Sequence, residues 1–186
     1  MSSLRGVFVV GCLTLSASAL AQSASTTPSA APTFQSDAVG VLGKVQEEMV
    51  SLEQAIPQAK FGWRPGQGVR SVAEVYLHAA GSAYFFAKQL GAEPPAEIQA
   101  VMKTFEKQTT DKAKIQKILS DSFAFLSKAI QQVPDAELQK TVSLGGHDVT
   151  KRALVLIGLG HYQEHLGQSI AYARVNGVVP PWSKGK

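Results

Sequence analysis

Apolar side chains recur every three to four residues in four long segments of the chain, the spacing typical of amphipathic helices. The segments run from about Asp37 to Ile56, from Ser71 to Leu90, from Asp111 to Pro134 and from Thr150 to Asn176. Proline or glycine residues follow or end these segments. No stretch of the chain convincingly indicates a sheet. The pattern therefore predicts an all-α fold, a four-helix bundle.

The three connections between these segments differ in their predicted structure. Residues 61–68 contain too much glycine and proline for a helix or strand, and their aromatic residues indicate an ordered loop. Residues 138–148 contain Gly145-Gly146 and are predicted to form a loop, in which Thr141 to Leu144 could be a short extended piece. A short helical turn is expected around Ala96 to Phe105, after two prolines.

The amino-terminal residues have the composition of a secretory signal. Arg5 precedes an apolar stretch, and Ala19-Leu20-Ala21 is the small-x-small pattern that signal peptidases cleave. We therefore expect a signal peptide at 1–21, a flexible Ser-, Thr-, Ala- and Pro-rich linker at 22–36 and the helical domain at 37–186. The expected location of the mature protein is the periplasm or the extracellular medium.

Cysteine content, hydropathy and charge argue against thiol-based sites, membrane helices and nucleic-acid binding. Cys12 is the single cysteine and lies in the signal segment, so the mature domain has no thiol, disulfide or Cys-based zinc site. Residues 9–12 also resemble a lipoprotein attachment box, but an incidental cysteine is favoured over a lipid anchor. No segment reaches the ~20 apolar residues of a membrane helix. The formal charge of +4 is not gathered in a stripe, which argues against nucleic acid and leaves a small molecule as the expected partner.

Three of the four histidines fall on predicted helices. His161 and His165 are one turn apart on the buried stripe of the last helix, where two imidazoles can share a metal ion. Ordinary hydrogen-bonded core histidines are the alternative. A third donor must come from another helix, and His78 is the only other histidine on one. The pattern predicts a divalent-metal site, and nickel, zinc, iron and manganese all accept imidazole ligands.

Several neighbours of these histidines are candidate functional residues. Gln168 and Tyr172 share the stripe of the histidine pair and are predicted to line the pocket or support the ligands. Glu164 adjoins His161 and is the candidate general base. The sequence His161-Tyr162-Gln163-Glu164-His165 also matches the inverted zincin motif, but too little chain follows for the remaining ligand helix of such peptidases.

Two further residues have competing interpretations. Glu74, one turn before His78, could support the metal site, or it could complete a capping box with Ser71. The cap is favoured. His147 follows two glycines in a predicted loop and is expected to lie away from the metal.

Four stretches of the chain carry a resemblance to a known family. They are Phe61-Gly62-Trp63-Arg64-Pro65, then Val69-Arg70-Ser71-Val72-Ala73-Glu74-Val75-Tyr76-Leu77-His78, then residues 161–168 (HYQEHLGQ), and finally residues 172–181 (YARVNGVVPP). These stretches resemble the DinB/YfiT-like superfamily of helical bundles. The resemblance implies an up-down-down-up course, frequent dimerisation and a divalent metal held by His78, His161 and His165.

The resemblance is less informative about activity than about the fold and the metal ligands. Some relatives resemble thiol-dependent transferases or isomerases, and others have been called metal-dependent hydrolases. The leading hypothesis is a metal-dependent hydrolase or transferase in which three imidazoles leave positions open for water or substrate. The alternatives are a non-catalytic metal- or ligand-binding bundle and a bundle with purely structural histidines. Export departs from the usual cytoplasmic members and argues against a cytosolic thiol cosubstrate.

Overall fold

The computed structural model describes residues 31–183 and residue 185. In this part of the chain four long helices form the bundle, and a short helix precedes the third of them: α1 (Phe34–Ala55), α2 (Val72–Leu90), α3 (Ala96–Val101), α4 (Lys112–Gln131) and α5 (Lys151–Val175). Short 3₁₀ helices lie at Gln58–Lys60, Met102–Lys107, Asp135–Glu137 and Pro181–Ser183. The predicted helical bundle is confirmed. The predicted signal segment, Cys12 and residues 22–30 of the predicted linker lie outside the described residues.

Contacts at the helix ends show that α1 and α4 are antiparallel. Gln35, at the start of α1, donates a hydrogen bond of 2.7 Å to the carbonyl of Val133, just beyond the end of α4. At the opposite end, the Lys112 ammonium at the start of α4 donates to the carbonyl of Ile56, just beyond α1, at 2.9 Å. Both pairs join the beginning of one helix to the end of the other.

The remaining directions follow from contacts of α5. The Arg152 guanidinium, near the start of α5, lies 4.5 Å from the ring centroid of Phe34, the first residue of α1, so these helices are parallel. Along α2 and α5, Phe86 packs against Gly158 while His78 lies beside His165, so these helices are antiparallel. The course is therefore up-down-down-up, as predicted.

The interior of the bundle is filled by bulky side chains from all four long helices. The fully buried ones include Leu42, Met49, Leu52, Tyr76, Leu77, Ile115, Leu119, Phe123, Leu154 and Tyr162. Among the described residues, no helix is long and apolar enough to cross a membrane.

Helix α1 begins three residues before the predicted start at Asp37. The Thr33 hydroxyl accepts a hydrogen bond from the backbone N–H of Ser36 at 3.1 Å, and the Ser36 hydroxyl accepts one from the Thr33 N–H at 2.9 Å. This reciprocal cap fixes the first turn. The predicted linker boundary at residue 36 is therefore wrong, because serine at the third helical position lacks the glutamate that usually indicates a capping box.

A small β-hairpin precedes α5, and only its first strand was predicted. Strands β1 (Thr141–Leu144) and β2 (His147–Thr150) pair antiparallel, with Leu144 opposite His147. Between them, Gly145 and Gly146 have φ angles of 59° and 85°, a backbone conformation suited to a two-residue hairpin turn. The extended piece at Thr141–Leu144 is present, but the prediction of a loop up to Asp148 is wrong, because β2 pairs with β1 there.

Candidate metal centre

The antiparallel packing of α2 against α5 brings the three predicted ligands together. His78 extends from α2, and His161 and His165 extend from successive turns of α5. The ring centroids are 4.4 Å apart for His161 and His165, 4.6 Å for His78 and His165, and 5.1 Å for His78 and His161. One ring nitrogen from each histidine lies within 4.8 Å of the other two. Three imidazoles in this arrangement could hold a divalent metal ion.

Burial favours the neutral, metal-binding form of His78 and His161. His165 is buried, and His78 and His161 are half-buried. Burial, and then the nearby His165, His78 and Arg70, lowers the pKa of His161 to about 4. Burial also lowers the pKa of His78, although the hydrogen bond to Glu106 opposes it. Neutral imidazoles have the free lone pair that a metal ion needs.

Glu106 orients His78 and is the functional residue that the sequence analysis missed. Its Oε1 lies 2.6 Å from Nδ1 of His78, and its carboxylate accepts two hydrogen bonds from Arg70, at 2.7 and 3.0 Å. Burial alone would raise the pKa of Glu106, but the hydrogen bonds from Arg70 and His78 outweigh it and lower the pKa. An ionised carboxylate can only accept, so Nδ1 of His78 carries the proton and Nε2 is free for a metal.

The packing of Phe105 against α2 places the neighbouring Glu106 beside His78. Phe105 packs on Gly81 of α2, where a Cβ atom would lie only 3.2 Å from the Phe105 ring. Glycine at this position therefore lets the 3₁₀ helix Met102–Lys107 lie close against α2. No local signal identifies this contact in the sequence, since Glu106 follows His78 by 28 residues.

Polar neighbours also contact the two histidines of α5. Nδ1 of His165 lies 2.9 Å from Oε1 of Gln168, and the Gln168 amide in turn donates to the Tyr172 hydroxyl at 3.1 Å. Nε2 of His161 lies 2.9 Å from the hydroxyl of Ser82 on α2. Gln168 and Tyr172 thus lie where the stripe on α5 predicted them, and Ser82 is an additional contact.

The other predicted residues lie outside this network. The Glu74 carboxylate accepts a hydrogen bond of 2.7 Å from the backbone N–H of Ser71, which lowers its pKa, and it also pairs with Arg64 at 3.1 Å. Glu74 therefore completes the cap of α2, the favoured interpretation. Glu164 is exposed, and its catalytic role stays a prediction. His147 lies exposed in β2.

The fold and the site together define a class of protein: an up-down-down-up helical bundle with a three-histidine candidate metal centre between its second and last long helices. The chain belongs to the DinB superfamily, whose family model matches residues 42–169. The matched range contains all three histidines of the centre. The comparison with curated proteins finds no match.

Solved structures with the same fold include three informative ones. The DinB-like protein YjoA from Bacillus subtilis is 20% identical, with a TM-score of 0.60 over 76% of this chain and 92% of its own. YfiT from Bacillus subtilis, described as a probable metal-dependent hydrolase with an unusual four-helix bundle topology, is 15% identical, with a TM-score of 0.60 over 77% and 88%. A mycothiol-dependent maleylpyruvate isomerase is 12% identical, with a TM-score of 0.59 over 73% and 62%. At these identities the likeness shows the fold.

Proposed function

We propose that this protein is exported, binds one divalent metal ion through His78, His161 and His165, and is a metal-dependent hydrolase or transferase acting on a small molecule. The observation that carries the proposal is the convergence of three imidazoles from two helices. Two of them have Nδ1 directed to an acceptor, which is the arrangement that orients histidine ligands in metal sites. Nickel, zinc, iron and manganese all fit such a donor set.

The residues around the histidines have separable roles in this proposal. Glu106 and Gln168 hold the rings of His78 and His165 with Nε2 free. A cavity of about 170 Å³ beside His78 gives a small molecule access to the site. When bound, a divalent ion supplies Lewis acidity, and three protein ligands leave room for substrate in its coordination sphere.

The relatives support catalysis, although they differ in chemistry. YfiT is described as a probable metal-dependent hydrolase, and the isomerase depends on a thiol. A thiol-type transferase is therefore one form of this proposal. A non-catalytic metal-binding bundle is the second candidate, because Glu164 is exposed and Glu106 is already paired with Arg70. Export rests on the signal pattern at residues 1–21, and a homodimer is expected from the family resemblance.

Metal analysis of the untagged protein tests the metal site. We expect about one ion per chain in the wild type and in His147→Ala, which removes an exposed histidine outside the cluster, and little metal in His165→Ala. Because an ion that binds only the folded state stabilises it by roughly 2.7 kcal/mol at 100 times Kd, added metal should raise the melting temperature of the first two proteins. A wild type without stoichiometric metal, and with no larger thermal shift than His165→Ala, contradicts the proposal.

An activity screen separates the enzyme from the binding protein. The metal-loaded wild type would be assayed on ester, amide and phosphate substrates and for thiol transfer, with His147→Ala and His165→Ala in parallel. Turnover that His147→Ala keeps and His165→Ala loses supports catalysis. Stoichiometric metal without turnover on any of these substrates favours the non-catalytic bundle.

A further inference from the structure

A large open cavity adjoins the histidine cluster on the side of Glu106 and Gln168. Its volume is about 600 Å³, and the polar residues that line it are Arg64, Arg70, Glu74, Glu106, Lys107 and Gln168. Two of these residues contact histidines directly, since Glu106 bonds to His78 and Gln168 bonds to His165. A molecule in this cavity would therefore lie against the residues that hold the candidate ligands.

The walls of this cavity carry an excess of positive charge. Three cationic and two anionic side chains line it, which leaves a net charge of +1. Arg64 pairs with Glu74 at 3.1 Å, and Arg70 pairs with Glu106 at 2.7 Å. Among the residues that the structure describes, Lys107 has no carboxylate within ion-pair distance, so its ammonium supplies the uncompensated charge.

The candidate ligand set adds to this excess when a metal is present. Three neutral imidazoles contribute no negative charge, so the two positive charges of a divalent ion are not neutralised by the ligands. The nearest carboxylate, Glu106, is already shared by Arg70 and His78. With the ion bound, an unneutralised cation and the free ammonium of Lys107 would together attract anions to this cavity.

A second, smaller cavity also adjoins Glu106, and three apolar side chains, Phe85, Met102 and Phe105, form part of its wall. Its volume is about 170 Å³, and His78 and Glu106 line it together with Ser82, Phe85, Met102 and Phe105. An apolar protein cavity of roughly 150 Å³ can hold a benzene molecule. The smaller cavity thus has room for a group about the size of one aromatic ring.

We propose that the substrate of this site is a small organic acid, with a carboxylate directed to the cationic cavity near Lys107 and an apolar group of about ring size in the cavity between Phe85 and Met102. This assignment rests on the proposed metal-dependent function. It is argued from the position of Glu106, which lines both cavities and contacts His78, so that both cavities adjoin the candidate metal centre.

Binding of matched probes to the metal-loaded full-length protein tests the substrate class. The probes are phenylacetate, its neutral counterpart phenylacetamide, and acetate, and calorimetry measures each Kd. We expect phenylacetate to bind about tenfold or more tightly than phenylacetamide, because the amide lacks the charge. We expect a similar advantage over acetate, because acetate has no ring to bury. Equal affinity of phenylacetate and phenylacetamide overturns the proposal.

Two variants on one 3₁₀ helix test the position of the carboxylate. Lys107→Glu reverses the unpaired charge in the cavity, and Lys103→Glu makes the same change at an exposed residue that does not line either cavity. An exposed ion pair changes affinity by roughly 1.4- to 5-fold. We therefore expect Lys107→Glu to weaken phenylacetate binding by a factor within this range or above it. Lys103→Glu should bind it like the wild type, and equal effects of the two variants overturn the assignment of Lys107.

Metal content distinguishes failure of this proposal from failure of the proposed function. Each protein is first checked for stoichiometric metal and for an unchanged melting temperature. If the wild type holds metal but shows no preference for the carboxylate, only the substrate class is wrong. If it holds no metal, the proposed function fails first, and the substrate assignment fails with it.

Discussion

Glu53 is a carboxyl group placed in the core of the bundle, and it makes stability depend on pH. The side chain is fully buried on α1, and neither of its oxygens has a hydrogen-bond partner among the described residues. Burial raises its pKa to about 7, although the charge of Lys112 opposes the shift. We expect Glu53→Gln, which keeps the shape but cannot ionise, to remove this pH dependence.

The size and sign of the effect follow from the difference between the folded and unfolded states. A pKa raised from 4.5 to about 7 corresponds to about 3 kcal/mol, at 1.36 kcal/mol for each pH unit. Because the folded pKa is the higher one, the contribution of this proton is fully present below about pH 4.5. It is lost as the pH rises through 7, where the folded core must accommodate an ionised carboxylate. The wild type should therefore lose about 3 kcal/mol of stability relative to Glu53→Gln between about pH 4.5 and 8.

Urea denaturation at several pH values, with a chelator present, measures this difference. The free energy of unfolding is determined for the wild type, Glu53→Gln and the control Glu47→Gln, which changes an exposed glutamate on the same helix. Histidine titration affects all three proteins alike, so it cancels in the comparison. Parallel pH profiles for the wild type and Glu53→Gln would refute the assignment of a buried, protonated carboxyl group. A difference of the same size between the wild type and Glu47→Gln would show that the pH dependence does not come from the buried location of Glu53.

Three further substitutions test individual contacts. Glu106→Gln should weaken metal binding about tenfold, because it removes the charged acceptor of the His78 N–H; competition with a chelating dye measures this, and unchanged affinity contradicts the role. Gln35→Ala removes hydrogen bonds to the Val133 carbonyl and to Asp135, and should cost about 1–3 kcal/mol in urea denaturation; a smaller loss would mean that water replaces these bonds. Gly146→Ala places a side chain at φ 85° and should cost about 1–2 kcal/mol; an unchanged melting temperature argues against this turn.

The helices and the histidine cluster could be predicted because both depend on local spacing. His161 and His165 lie on one helix, so the helical period alone places them on one face. The inclusion of His78 depended on the absence of another helical histidine and on the family resemblance. The antiparallel packing of α2 and α5 then brings His78 beside His165, which periodicity cannot predict.

The parts that were missed depend on contacts that no local pattern describes. The start of α1 was placed too late because Ser36 replaces the usual acidic residue in the cap of Thr33. Strand β2 was missed because its four residues, two exposed and two half-buried, show no apolar alternation, and only pairing with β1 makes them a strand. Glu106 reaches His78 from a segment that packs on α2 through Phe105 and Gly81, a contact between residues far apart in the sequence.

The candidate site is divided between two long helices and the segment Met102–Lys107, which precedes α4, and this division affects specificity. The helices supply the three candidate ligands, whereas the segment Met102–Lys107 supplies Glu106 to His78 and lines both adjoining cavities. A connection can change its sequence with less effect on the core than a buried helix face can. We therefore expect substitutions at Met102 and Lys107 to change which small molecules bind while metal binding persists, and substitutions at Glu106 to affect both.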